Sequence, residues 1–353
     1  MRSTTDVAVV GGGIIGAAIA WRLKAHGVTV TVFDPEPGSG ATRAAAGMLA
    51  PVTELHYGEE RLLRLNLASA SRYPEFVAEL EAATGADVGY RRTGTVVAAW
   101  DGADLAALRD LARLHASLGL SSELLTAREL RSLEPSVAAG LPGGLYAGDD
   151  HAVDPRRLHE ALLAGATVER QAVVAVGAGS VTLAGGDVVS AATVVVAAGA
   201  HSARIAGVPA MELRPVKGQT LRLRSSRPVV DHVLRGSVRG VPVYLVPRDG
   251  GELVVGATSE EAGYDDRPRA GAVYDLMRDA QQLLPAVVEM ELLEVSTGLR
   301  PATPDNVPII GAVAPGMVVA TGHYRNGVLL APITADAVTE LVLHGRMLDE
   351  VSA

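Results

Sequence analysis

Three glycines near the start of the chain and one aspartate after them have the residue types and spacing of a phosphate-binding site. Gly11, Gly13 and Gly16 form the pattern G-x-G-x-x-G, and Asp34 follows about twenty residues later. Glycines at these positions allow a tight turn and let the backbone approach a pyrophosphate, while the N-terminus of the next helix faces the anion. The aspartate can accept hydrogen bonds from ribose hydroxyls. These residues predict a dinucleotide site.

The segments around the glycines have the order that such a site requires. Residues 6–10 form a short apolar run, a helical pattern continues to Leu23, and residues 28–33 form a second apolar run ending at Asp34. Strand, glycine turn, helix and strand in this order make a mononucleotide-binding unit. The glycine pattern alone is weak evidence, but the strands on both sides make it specific. These residues do not decide between NAD and FAD.

Composition limits the classes of protein that the chain can belong to. A length of 353 residues exceeds what one hydrophobic core usually supports, so we expect two joined domains. The 40 acidic and 31 basic residues leave a formal charge of -9, without the general basic excess of a nucleic-acid-binding protein. We therefore expect no nucleic-acid partner.

The absence of cysteine from the sequence excludes several kinds of chemistry. Disulfides, thiolate metal ligands, cysteine nucleophiles and a cysteinyl link to a flavin are all impossible. The histidines lack the paired spacing of a metal site, so we expect no metal. Any flavin must bind without a thioether.

The apolar stretch at 7–21 resembles a signal peptide or membrane span only superficially. Asp6 precedes it, and Arg22 and Lys24 close it before it reaches the length of a membrane-spanning helix. We expect a cytoplasmic protein with no membrane association.

Hydrophobic periodicity predicts the other elements. A helix is expected over 59–83, with a possible break at Pro74, and another over 104–118. A further helix should begin at Pro155 with Asp154 as its N-cap. The last helix is expected over 326–343, directly after a glycine turn.

The chain leaves the nucleotide-binding unit twice and returns to it. The second excursion contains alternating runs at 220–224, 243–247 and 252–256, which predict a mainly antiparallel sheet. The predicted first domain consists of 1–85, 145–210 and 298–353. The predicted second domain consists of 86–144 and 211–297.

Five further segments resemble one family of flavoenzymes. They are T-R-A-A-A-G-M-L at 42–49, A-V-V-A-V at 172–176, V-V-V-A-A-G at 194–199, T-G-L-R-P-A-T-P-D at 297–305 and G-H-Y-R-N-G-V-L-L-A-P at 322–332. Together they resemble the D-amino-acid oxidase and sarcosine oxidase family, and most of all its glycine oxidase branch. The resemblance runs from end to end. It implies an α/β fold with a Rossmann-like FAD-binding domain interleaved with a mainly antiparallel substrate domain.

The resemblance also implies which residues contact non-covalent FAD. These are Gly11, Gly13, Ile14, Ile15, Gly16, Asp34, Thr42, Arg43, Ala45, Ala46, Gly47, Met48, Val173, Ala198, Gly199, His323, Tyr324, Arg325, Asn326, Gly327, Val328 and Leu329.

Three residues are implied in substrate binding. Arg300 would pair with the carboxylate of an amino acid, Tyr244 would add a hydrogen bond, and the backbone carbonyl of Arg325 would receive the amine. A planar guanidinium suits this task because it binds a carboxylate through two parallel hydrogen bonds. A surface ion pair for Arg300 and simple strand packing for Tyr244 remain alternatives. His323 is either a general base or a structural residue that bonds loop backbone or lines the flavin.

Other positions carry weaker expectations. Lys217 could lie near the flavin, although a structural role between domains is expected, and Arg128, Glu129 and Arg131 should form a solvated helix face. Two positions depart from the family on what the resemblance identifies as the substrate side. Pro242 replaces a histidine and Ser259 replaces a methionine, so the tolerance for substrate side chains is open.

The resemblance implies oxidation of glycine, and less efficiently of sarcosine or small D-amino acids, to the imine and then the 2-oxo acid, with oxygen reduced to H2O2. Iminoglycine from this reaction would supply thiamine thiazole synthesis. One alternative is a D-amino-acid or secondary-amine dehydrogenase that uses another electron acceptor. A non-catalytic flavin-binding protein and an NAD dehydrogenase are further alternatives. The expected partners are a small amino acid and O2, and a homo-oligomer is left open.

Overall fold

The computed structural model describes residues 4–352, which form two eight-stranded sheets, a two-stranded ribbon and the helices around them. The strands are β1 (Thr4–Val10), β2 (Val30–Phe33), β3 (Met48–Leu49), β4 (Thr95–Ala99), β5 (Glu123–Thr126), β6 (Gly143–Ala147), β7 (His151–Ala152), β8 (Thr167–Glu169), β9 (Val173–Gly177), β10 (Ser180–Leu183), β11 (Val188–Val196), β12 (Arg214–Arg224), β13 (Val233–Val238), β14 (Val241–Pro247), β15 (Glu252–Gly256), β16 (Glu291–Ala302), β17 (Ile309–Ala314) and β18 (Met317–Thr321). The α-helices are α1 (Ile14–Ala25), α2 (Ala41–Ala44), α3 (Glu60–Thr84), α4 (Gly102–Ser117), α5 (Ala127–Leu133), α6 (Pro155–Leu163), α7 (Ala270–Leu283), α8 (Ala331–His344) and α9 (Asp349–Ser352). Short 3-10 helices span Gly199–Arg204, Asp249–Gly251 and Pro285–Glu289.

The first sheet contains the predicted nucleotide-binding unit. Six of its strands have the order β17-β18-β11-β1-β2-β8, and the five strands from β18 to β8 are parallel. The other two, β10 and β9, extend from β11 as antiparallel strands. The helix α1 between β1 and β2 is apolar around its circumference, and it is buried against the sheet, α6 and α8. The parallel arrangement brings the carboxyl ends of β1, β2 and β11 to the same edge.

The second sheet has the order β16-β12-β15-β14-β13-β4-β6-β5. Its pairs are antiparallel except for β13 and β4, so the predicted mainly antiparallel sheet is confirmed. A separate apolar core lies between this sheet and α7. The predicted domain boundaries at 145 and 298 fall inside β6 and β16, which are both strands of this sheet. The division into domains stays a proposal.

Two predicted helix features differ from the structure. The helix α3 continues through Pro74, because the neighbouring Tyr73 and Phe76 are fully buried and hold this part of the helix against the core. The last helix begins at Ala331 instead of 326. The residues before it form turns, in which the Asn326 N–H donates to the carbonyl of His323 and the Leu330 N–H donates to Asn326. The N-cap predicted at Asp154 is confirmed, since its side chain accepts from two backbone N–H groups.

Within residues 4–352, no helix has both the length and the apolar character needed to cross a bilayer.

Candidate active site

A cavity of about 840 Å³ lies where the carboxyl edge of the first sheet meets the second sheet. Most predicted site residues line it: Gly11, Gly13, Ile14, Ile15, Asp34, Thr42, Arg43, Ala45, Ala46, Gly47, Met48, Val173, Ala198, Gly199, Tyr244, Arg300, His323, Tyr324, Arg325, Gly327 and Val328. Segments far apart in the sequence therefore contribute to one cavity.

Three predicted residues lie behind the cavity surface. Gly16 is packed so closely on the glycine turn that a Cβ there would overlap the carbonyl of Gly11. Asn326 and Leu329 are buried, and the carbonyl of Leu329 accepts a 2.6 Å hydrogen bond from the Ser69 hydroxyl. None of these three residues lines the cavity, and their contact with FAD stays a prediction.

The glycine turn is shaped by its own backbone and by Asp34. Gly11 has a φ of +104°, in the region that favours glycine, and a Cβ there would also overlap backbone atoms of Ala197. The Asp34 carboxylate accepts hydrogen bonds from the N–H groups of Gly12 at 2.7 Å and Glu36 at 2.8 Å. These bonds fix the carboxylate at the end of β2, on the cavity wall.

Arg300 and Tyr244 meet above two glycines of the second sheet. Arg300 belongs to β16, and a Cβ on Gly218 of the adjacent β12 would overlap its guanidinium. Tyr244 belongs to β14, and a Cβ on Gly256 of the adjacent β15 would overlap its ring. Since β12 and β15 are neighbours, the two glycines form a floor on which both side chains lie. Arg300 donates to the carbonyl of Thr258 at 3.1 Å, which helps to hold the guanidinium.

The electrostatics of Tyr244 agree with this placement. Burial raises the pKa of the Tyr244 phenol, and the charge and hydrogen bonding of Arg300 oppose that rise. The phenol therefore keeps its proton at neutral pH and can donate a hydrogen bond. Arg300 and Tyr244, which the family resemblance implies in binding the substrate carboxylate, therefore lie next to each other. We call this pair the carboxylate clamp.

Two oppositely charged residues, Glu54 and Arg235, lie near Tyr244. Glu54 lines the cavity, and its Oε1 is 3.2 Å from a guanidinium nitrogen of Arg235. Arg235 also donates to the hydroxyl of Thr53 at 3.0 Å, and it pairs directly with Tyr244 across β13 and β14. Neither residue was predicted, because neither belongs to a local motif.

The turn that carries Glu54 is held by a buried carboxylate. Asp150 is fully buried and accepts hydrogen bonds from the N–H groups of Val52 and Thr53, at 2.9 Å each, and from the Thr53 hydroxyl at 2.6 Å. Burial raises the pKa of Asp150 to about 6, although these hydrogen bonds oppose the rise. The three bonds determine where the turn lies.

His323 is buried and neutral. Burial lowers its pKa to about 3, and its Nε2 lies 3.0 Å from the hydroxyl of Thr334 on α8. The following residue, Tyr324, has a φ of +46°, and its N–H donates to the carbonyl of Pro301. These contacts join the segment to both α8 and β16, so they favour the structural alternative for His323 over a general base.

Comparison with known proteins agrees with the geometry. Residues 6–341 match the model of a protein family described as FAD dependent oxidoreductase. The chain belongs to this family. The predicted family, fold class and cofactor of this oxidoreductase are confirmed.

Relatives of the oxidoreductase include glycine oxidases. It is 34% identical to the glycine oxidase of Geobacillus kaustophilus over 97% of this chain and 94% of that one. It is 33% identical to the bifunctional protein ThiO/ThiG of Trichormus variabilis, over 97% of this chain and 53% of the relative. The chain thus spans about half the length of the bifunctional relatives that it matches. The solved Geobacillus kaustophilus glycine oxidase superposes with a TM-score of 0.89 at 33% identity, covering 96% of this chain and 95% of that chain.

The cavity of the oxidoreductase fits FAD. The first turn of α1 has no acidic residue, and Gly13 at its N-cap has no side chain, so the helix N-terminus is open to an anion. The hydroxyl of Thr42 accepts from the N–H of Ile14, which ties the small-residue loop to this turn. The cavity volume is within the ~300–1,000 Å³ of typical ligand sites, near the upper end that a long cofactor needs. The same cavity extends from this turn to Arg300.

Several other expectations for the oxidoreductase concern residues outside the cavity wall. Lys217 is fully buried, and its ammonium donates to the carbonyl of Arg267 at 2.6 Å, so it fixes a loop and does not line the cavity. Pro242 and Ser259 are exposed and also lie outside the wall. The cluster predicted on α5 is exposed, which confirms a solvated face for Arg128, Glu129 and Arg131.

Proposed function

We propose that this oxidoreductase oxidises glycine, and less efficiently sarcosine and small D-amino acids, to the corresponding imine. The observation that carries the proposal is the contact between Arg300 and Tyr244 on the wall of the cavity that begins at the glycine turn. The glycine oxidase relatives support the same substrate class. The proposal also includes non-covalent binding of FAD through the predicted residues that line the cavity.

The proposed role of the protein is to orient the substrate. Arg300 binds the substrate carboxylate through two hydrogen bonds, and the protonated phenol of Tyr244 donates a third. The carbonyl of Arg325 accepts from the substrate amine, as the family resemblance implies. Bound FAD supplies the acceptor for the hydride that leaves the substrate Cα. Orientation of the Cα–H bond can account for much of the rate, because a correctly held pair of reactants needs no strong side-chain base.

The proposed products follow from this bond breaking. The ammonium group of the bound substrate first loses a proton to water, which frees the nitrogen lone pair. The Cα–H bond then breaks with loss of a hydride, and loss of a second proton from the nitrogen to water leaves the imine. Water hydrolyses free imine to the 2-oxo acid and ammonia. The two electrons reach O2, which gives H2O2, and iminoglycine is available for thiamine thiazole synthesis. A cytoplasmic location and a homo-oligomeric state are further parts of the proposal.

A peroxide-coupled substrate panel tests the proposed function. Purified protein with bound flavin is incubated with glycine, sarcosine, D-alanine and L-alanine, and H2O2 is measured. We expect the largest kcat/KM for glycine and none for L-alanine. Absence of peroxide with all four substrates, but reduction of an artificial dye by one of them, would identify a dehydrogenase instead. Absence of both signals in protein that retains flavin would favour a non-catalytic flavin-binding protein.

A further inference from the structure

One of the carboxylates on the cavity wall is both shielded from solvent and close to Arg300 and Tyr244. Four acidic residues line the cavity: Asp34, Glu36, Glu54 and Asp266. Asp34 accepts from the glycine turn, and Glu36 and Asp266 are exposed. The side chain of Glu54 is only 11% exposed. Its ion-pair partner Arg235 is the cross-strand neighbour of Tyr244, so Glu54 lies at the substrate end of the cavity, where its charge raises the pKa of the phenol.

The surroundings of Glu54 form a built site. Arg235 joins Glu54 to Thr53, and Asp150 holds the backbone of the same turn with three hydrogen bonds. Removing these charges from water is costly, and a hydrophobic wall of similar volume would often be no less stable. The geometry of the network fixes the direction of one carboxylate.

One oxygen of this carboxylate is available. The ion pair with Arg235 engages Oε1 of Glu54, and no donor within residues 4–352 forms a hydrogen bond to Oε2. A carboxylate has about four sites that accept hydrogen bonds, so one ion pair does not satisfy it. Because Arg235 holds the side chain in place, a cationic ligand group can bind without first ordering it.

We propose that Glu54 is a specificity-determining residue that accepts a hydrogen bond from the protonated amino group of the substrate. The inference rests on the proposed function and deepens it. Arg300 provides a positive charge for one end of an amino acid, and Glu54 provides a negative charge for the other end. A site with both charges binds a zwitterion, whereas a hydroxy acid of the same shape gains only the contact with Arg300.

Binding measurements on the holoenzyme test the inference without turnover. The flavin is first reduced under anaerobic conditions, so that glycine binds without being oxidised. Calorimetry then gives the Kd of glycine and of glycolate, which has a hydroxyl in place of the amine. Wild type should bind glycine more tightly than glycolate. Glu54→Gln should weaken glycine binding about 10- to 100-fold, as expected for a hydrogen bond between charged groups, and change glycolate binding by less than about threefold.

Glu59→Gln is the matched control. Glu59 lies in the same connection but outside the cavity wall, and its Oε1 accepts from Asn306 at 2.7 Å, a bond that glutamine can keep. This variant loses the same charge as Glu54→Gln, but outside the cavity wall. Both Kd values should therefore stay unchanged. Flavin content and thermal midpoint report whether each variant folds. If Glu54→Gln does not fold, Glu54→Asp keeps the charge and should weaken glycine binding more than glycolate binding.

The outcomes separate the inference from the proposed function. An equal loss for glycine and glycolate in Glu54→Gln, or no loss for either, overturns the inference even if wild type oxidises glycine. Wild type that binds both ligands equally overturns it as well. If wild type produces no peroxide from glycine but Glu54→Gln shows the glycine-specific loss of binding, the proposed oxidation is contradicted and the amine contact remains supported.

Discussion

The two ends of the cavity are built in different ways. The wall at the glycine turn comes mostly from one continuous part of the chain, residues 10–48, and much of it is backbone and small side chains. The wall at Arg300 is assembled from residues of β12, β14 and β16 and from Glu54, and it includes the charged and aromatic side chains of Glu54, Tyr244 and Arg300. The first wall provides space and backbone N–H groups, and the second provides charges at fixed positions.

This difference indicates how each wall will respond to substitution. An added side chain at the glycine turn fills the space for the cofactor and displaces the neighbouring backbone. We therefore expect the bound flavin and the stability of the fold to decrease together. A changed charge at the second wall leaves the space for the cofactor intact, so turnover or substrate affinity should change while the flavin stays bound. Variants that affect the two properties separately test this comparison.

Gly11→Ala should have the largest effect, which is loss of bound flavin. A Cβ at position 11 overlaps backbone atoms of Ala197, and a φ of +104° strains any other residue. Flavin absorbance of the purified protein measures the loss, and circular dichroism measures the fold. Gly27→Ala is the control, because Gly27 has a φ of +80° with open space around its Cβ position. Retention of flavin by Gly11→Ala would show that the wall at the glycine turn tolerates a methyl group, contrary to the comparison.

Arg300→Lys should retain flavin and lose about 100-fold in kcat/KM for glycine. Lysine keeps the positive charge but cannot form two parallel hydrogen bonds with a carboxylate. Steady-state kinetics and flavin absorbance on the same preparation check both parts. Arg113→Lys, at an exposed position on α4, serves as a control with the same substitution. Loss of flavin together with activity would contradict the separation between the two walls.

How much the sequence predicts also differs between the walls. The glycine turn, Asp34 and the first βαβ unit follow from a local pattern, because neighbouring residues in the chain build that wall. Arg300 and Tyr244 were predicted only through resemblance to a family.

The support for the second wall was not predicted. Gly218 is recognisable only when β12 lies beside β16, and Gly256 only when β15 lies beside β14, since each makes room for a side chain from the adjacent strand. Glu54, Arg235 and Asp150 meet through tertiary contacts and have no fixed spacing in the sequence. Side-chain networks of this kind depend on strand register and turn position, which the hydrophobic pattern does not specify.

Asp150→Asn should change stability in a pH-dependent way. The pKa of Asp150 is about 6 in the folded protein and 3.8 in its reference state, so the folded protein binds this proton more tightly. Its contribution to the free energy of unfolding is therefore greatest at low pH and falls by up to about 3 kcal/mol as pH rises from about 4 through about 6. Urea unfolding at pH 4.5 and 7.5 should show that Asp150→Asn destabilises the protein more at the lower pH. Asp110→Asn, an exposed control, should show no such difference, and a pH-independent effect of Asp150→Asn would contradict the raised pKa.

Ser259→Met should have the smallest effect, although it restores a residue that the family has at this position. Ser259 is exposed and does not line the cavity, so we expect a methionine there to stay outside the space beside Arg300 and Tyr244. Exposed substitutions usually change free energies by less than ~0.5 kcal/mol, which corresponds to about twofold in kcat/KM. The ratio of kcat/KM for glycine and D-alanine is the sharpest measurement, because it cancels differences in active enzyme concentration. Pro242→His, at the other exposed departure from the family, should leave the same ratio unchanged. A change of more than about fivefold in either variant would place these positions at the substrate wall, and that wall would then extend beyond the side chains on β14 and β16.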